Sequence, residues 1–85
     1  QMANQSKDEV ELAKVPLYYD RAYQWADQAV VAIPNSVKYL NARAGAALQL
    51  KKVDVAKRDV IAALELDPTD ETARGLATLM GLKID

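Results

Sequence analysis

Histidine and cysteine are both absent from the 85 residues. Without them the chain has no imidazole base, no thiol nucleophile, no disulfide and none of the usual zinc ligands. Glycine and proline are scarce, at three each, so few chain reversals are available. β-branched and aromatic residues are scattered and do not alternate, which leaves no signal for strands. No apolar run approaches the roughly 18 residues needed to span a membrane, and no signal peptide is visible. Charge of one sign is also missing. The formal net charge is −1 and the two signs are interspersed, so there is no basic stripe of the kind that releases counterions from nucleic acid.

What remains is a helix-forming composition. Hydrophobic residues make up 51% of the chain, and alanine, the best helix former, is the commonest residue. A chain this short forms one compact domain or a short repeat array, too small to enclose a deep active site. The opening Gln1-Met2 is read as the start of an excised piece, and the compartment stays open. The only adjacent basic pairs are Lys51-Lys52 and Lys57-Arg58, which a solvated helix surface explains.

An internal period of 34 residues organises the chain. Aligning Tyr19–Ser36 with Val53–Asp70 without a gap sets Asp20 on Asp54, Ala22 on Ala56, Ala29 on Ala63 and Pro34 on Pro68. Asn35 and Ser36 are good N-cap residues, and a helix follows from Val37 to Leu50 with Leu40, Ala44, Ala47 and Leu48 on one stripe. A second helix runs from Val53 to Leu66, its inner face made of Val53, Ala56, Val60, Ala63 and Leu64. Asp67-Pro68 ends it, because the residue before proline is pushed out of helical geometry. Leu17 to Ala32 forms a preceding helix, with Pro16 suited to its first turn. Asp70 to about Leu82 forms a following one. Ser6 to Lys14, with its weak stripe of Val10, Leu12 and Ala13, completes a count of five.

These residues resemble the tetratricopeptide repeat (TPR) family. The unit from residue 37 to 70 carries Leu40, Arg43-Ala44, Ala47, Ala56, Val60 and Pro68 at the family's spacing. The run Ala63-Leu64-Glu65-Leu66-Asp67-Pro68 looks like its commonest ending. The preceding helix matches through Tyr19-Asp20-Arg21-Ala22, Ala26, Ala29 and Pro34. The resemblance implies an all-α, right-handed solenoid of antiparallel helix pairs. Repeat 1 would span about 3–36, repeat 2 about 37–70 and a C-terminal helix about 70–83, in the order A-B-A-B-A. Alanine at crossings lets helices approach, and each hairpin covers a flank of its neighbour. Departures are visible too. Alanine stands at 26 and 47 where the family is bulky, and Arg43 and Arg74 stand where it is apolar. Lys51-Lys52 replaces its glycine-containing turn.

By the same resemblance the A helices line a concave face that holds a protein or peptide. Its residues would be Lys38, Asn41, Gly45, Leu48, Gln49, Thr72, Gly75 and Leu79, with Leu82 and Lys83 beyond them and Lys7, Glu11 and Lys14 ahead. Such a groove is mildly basic, with an apolar floor near Leu48 and Leu79. It suits an acidic or C-terminal segment with one apolar anchor. Gly45 and Gly75 each cost a helix about 0.5–1 kcal/mol relative to alanine. Close approach of a ligand backbone, tight packing between helices, and simple tolerance are the three readings of that cost. A chaperone-type carboxylate clamp is not expected, because Glu11, Ala42, Thr72 and Leu76 stand where it needs asparagine, lysine and arginine. Among the aromatics, Tyr19 reads as core, while Trp25 and Tyr23 lie on different faces of one helix. No catalytic, cofactor or metal site is expected. The chain reads as a protein-binding scaffold, with self-association or docking within a longer repeat protein as the alternative. An RNA-reading repeat is disfavoured.

Overall fold

The computed structural model describes residues 18–83. Among them lie four α-helices and no strand: α1 (residues 18–32), α2 (Val37–Gln49), α3 (Val53–Leu66) and α4 (Glu71–Leu79). The all-α class read from composition is therefore present. None of these helices is long and apolar enough to cross a membrane. The helix expected over about residues 6–14, with Lys7, Glu11 and Lys14, lies outside the described residues.

Helix boundaries follow local chemistry. Ser36 caps α2, its Oγ accepting a hydrogen bond from the Tyr39 amide at 3.2 Å. Asp70 caps α4 in the same way, accepting from the Ala73 amide at 2.9 Å. In both, a side-chain oxygen satisfies an amide that has no partner inside the helix. Pro34 falls in the turn between α1 and α2, and Pro68 in the turn between α3 and α4. Asp67 takes extended geometry ahead of Pro68, at φ −147 and ψ 92.

The C-termini of α2 and α4 close with the same backbone motif. After α2, the Lys52 amide donates to Ala47 O at 2.8 Å and the Lys51 amide to Leu48 O at 3.0 Å. After α4, the Leu82 amide donates to Ala77 O at 2.9 Å and the Gly81 amide to Thr78 O at 3.0 Å. This pair of bonds requires one residue in the left-handed region. Gly81 adopts it at φ 73 without penalty, whereas Lys51 adopts it at φ 65 with a Cβ to accommodate. Lys51→Gly is accordingly expected to stabilise the fold by about 0.5–1 kcal/mol, read as a higher urea midpoint with an unchanged slope. The motif also explains where α4 stops. The sequence reading takes the helix to about Leu82, but Gly81 turns the chain after Leu79, so Leu82 and Lys83 are not helical.

Packing is organised by alanine. α2 lies along α3, and α4 rests on α3 and touches α2. One core cluster joins Ala44 and Ala47 of α2, Ala56 and Val60 of α3 and Ala77 of α4. Another joins Val30, Leu40, Ala63 and Ala73, one residue from each helix. Val60 is the largest side chain that is fully buried, so helices meet at short range around small residues rather than around a bulky centre. Ala26, Ala56 and Ala63 are fully buried as the pattern implied, while Ala22 and Ala29 are half-buried. Val53, assigned to the inner face of its helix, is exposed at the first position of α3.

Arg43, an anomaly in the apolar pattern, ties three helices together. Its Nε and Nη2 donate to the two carboxylate oxygens of Asp59 on α3, each at 2.7 Å, and its Nη1 donates to Asp27 of α1 at 2.8 Å. The Asp59 side chain is only 4% exposed and that of Asp27 is 47% exposed, so one arm is buried and the other reaches solvent. Hydrogen bonding to Asp59 raises the guanidinium pKa above its ordinary value; burial pulls the other way, and Asp27 adds to the rise. Arg43 therefore stays charged at any pH the fold survives.

Candidate functional site

The first turns of α2 and α4 converge on an open groove of about 520 Å³. Val37, Lys38, Asn41 and Ala42 line it from α2, Asp67 and Asp70 from the α3–α4 turn, and Thr72 from α4. Two caps place these residues: Ser36 fixes where α2 begins, and Asp70 fixes where α4 begins. Asp70 also accepts a hydrogen bond from Asn41 Nδ2 at 2.7 Å, which latches the start of α4 to the middle of α2. That bond orients the Asn41 carboxamide, because the opposite orientation would set its oxygen against a carboxylate. The remaining oxygen, Asn41 Oδ1, is buried without a hydrogen-bond partner. An acceptor in that condition is costly to the protein.

Asp67 is partly committed to the turn. Its Oδ1 accepts from the amide and hydroxyl of Thr69, at 3.1 and 2.8 Å. With Asp70 it sets two carboxylates against the single ammonium of Lys38. This part of the face is therefore not the mildly basic surface expected from sequence. In sequence, Asp67 and Asp70 are residues that stop and start helices. Their second role was legible in principle, because both fall within the stretch where α3 hands over to α4, alongside Thr72.

Of the residues expected on one binding face, the groove gathers Lys38, Asn41 and Thr72. Gly45, Leu48, Gln49, Gly75 and Leu79 do not line it. Leu48 packs against the core cluster of Ala44, Ala47 and Ala56, so it is not a free apolar floor. Leu79 is 79% exposed at the end of α4, and Gln49 is also exposed. Leu82 packs back on the core, and Lys83 is exposed beyond the helix.

A Cβ added at Gly45 or Gly75 would meet nothing within 4 Å. Tight packing between helices therefore does not explain either glycine. Gly75→Ala is expected to raise stability by about 0.5–1 kcal/mol, because it removes unfolded-state freedom and adds no clash. Thermal unfolding followed by circular dichroism measures it.

The aromatic residues divide as their faces require. Trp25 and Tyr18 are more than half exposed, while Tyr19 and Tyr23 are half-buried. Trp25 meets Tyr39 of α2 edge to face, with ring centroids 5.7 Å apart. Its indole thus bridges α1 and α2 while one face stays open to solvent. Among the described residues no group of three or more acidic side chains could hold a metal ion.

In comparisons with known proteins, no family model, curated sequence or solved structure matches the chain.

Proposed function

We propose that this chain is a protein-binding module of the tetratricopeptide kind, a right-handed stack of helical hairpins that holds a peptide or partner protein on the face formed by α2 and α4. The observation that carries this reading is the groove in which Lys38 and Asn41 of α2 and Thr72 of α4 line one site with Asp67 and Asp70. The 34-residue register of alanine and proline and the alanine-lined crossings support the architecture. The ligand best suited to the groove is an extended segment offering a cationic or neutral side chain to Asp67 and Asp70. An acidic segment suits it less.

Peptide display against the intact chain tests the reading. Selected peptides are expected to bind wild type and to lose about tenfold or more in affinity on an Asp67→Lys, Thr72→Arg double variant, while a Lys57→Glu variant retains them. Peptides indifferent to Asp67 and Thr72 would rule this face out.

The alternative, a segment that associates with its own kind or with neighbouring repeats, is favoured by the exposed Tyr18, Trp25, Val31 and Leu79. Light scattering over a concentration series separates the two: a persistent monomer removes the second.

A further inference from the structure

Lys51, Lys52 and Arg58 meet at a second open groove, of about 470 Å³, beside the α2–α3 turn. Tyr23 of α1 forms its far wall, and Val53 and Val55 its apolar base. In sequence these cations look like ordinary surface charge. Folding gathers them, because the left-handed turn at Lys51 brings the two lysines over the start of α3, where Arg58 also lies. All three are exposed, and none forms an ion pair within the described residues. Lys52 Nζ is held over the Tyr23 ring, 5.4 Å from its centroid, which fixes one ammonium at the groove wall. Cations gathered in this way repel one another until an anion arrives. Arg58 can also grip a carboxylate through two parallel hydrogen bonds.

We propose that this groove binds an acidic peptide segment of a partner protein, its carboxylates on Lys51, Lys52 and Arg58 and an apolar side chain against Tyr23 and Val55. One observation favours a peptide over a nucleic acid: the chain as a whole carries a net charge of −1, without the basic stripe that a phosphate backbone needs. The site is separate from the α2–α4 groove and does not depend on that groove binding anything.

Fluorescence anisotropy tests it with the whole chain and a short fluorescein-labelled peptide in which aspartate-glutamate pairs alternate with leucine. Saturable binding is expected, weakening as salt rises. A variant combining Lys51→Ala, Lys52→Ala and Arg58→Ala is expected to bind about tenfold or more weakly, and Lys52→Glu alone to bind distinctly more weakly. Lys57→Ala removes an exposed cation outside the groove and should bind like wild type. Circular dichroism confirms that each variant keeps its helices. The proposal is overturned by absence of saturable binding, or by an equal loss with Lys57→Ala, which would reduce the effect to bulk charge. Displacement of the peptide by a single-stranded oligonucleotide at comparable concentration would also overturn it.

Discussion

Arg43→Met is expected to destabilise the fold by about 3–5 kcal/mol, because it leaves the Asp59 carboxylate buried without its cation. The geometry makes this the most damaging single change on α2. Asp59 receives a two-pronged donation from the guanidinium, with both distances at 2.7 Å, and its side chain has almost no access to water. Neither water nor another cation can take over. Domains are stable by about 5–15 kcal/mol, and a small one with an alanine-rich core sits near the low end. The variant should therefore be largely unfolded at physiological temperature. Asp27→Ala cuts the solvent-exposed arm of the same network and is expected to cost at most about 1 kcal/mol. Replacing both buried partners, as Arg43→Met with Asp59→Leu, should recover most of the loss, since a buried ion pair often does no better than apolar residues of similar volume. Urea unfolding of these four proteins decides the matter. If Arg43→Met were no less stable than Asp27→Ala, the buried arm would not be what holds α2 to α3.

Leu40→Ala carries the next largest expected effect, about 2–5 kcal/mol. Leu40 is 4% exposed and is the one large side chain in a cluster otherwise made of Val30, Ala63 and Ala73. These neighbours come from α1, α3 and α4, so truncation opens a void where all four helices meet. Val37, Tyr39 and Leu64 pack against the same cluster from its partly exposed side, and how far they relax into the void sets the cost within that range. The reciprocal change, Ala63→Leu, is expected to cost about 1–3 kcal/mol by forcing the same helices apart. Thermal and urea unfolding report both. Small effects at both Leu40 and Ala63 would mean that the junction is already loose there.

Much of this architecture was legible in the sequence. Pro34 and Pro68, the capping serine at 36 and the stripe through Leu40, Ala44 and Ala47 set the bounds of α2 and α3 almost to the residue. Two things were harder to read. The end of α4 is one: the helix is expected to reach about Leu82, but Gly81 holds a local stop signal, a glycine two residues past Leu79. Asp59 lay three residues after Ala56 and four before Ala63, inside the apolar stripe of α3, and Arg43 stood at an apolar place on α2. Two opposite charges on facing stripes point to a pair, but helical spacing alone does not say that the two stripes meet at that level. The grooves were less legible still. Lys38, Asn41 and Thr72 were named by their helical faces, and the structure joins them. Asp67 and Asp70 were hidden by their duties in a turn. Lys51, Lys52 and Arg58 come together only because a lysine takes up a backbone shape that sequence rules assign to glycine.

That lysine sets stability and recognition against each other. Any scheme that ranks substitutions by unfolding free energy alone would put glycine at position 51 and score it as an improvement. The same exchange would strip one of the cations from the groove beneath Tyr23. A variant library selected for heat resistance should therefore drift toward glycine at 51, and one selected for capture of acidic peptides should hold the lysine. The two selections would part company at this residue before they did so anywhere in the alanine-lined interior.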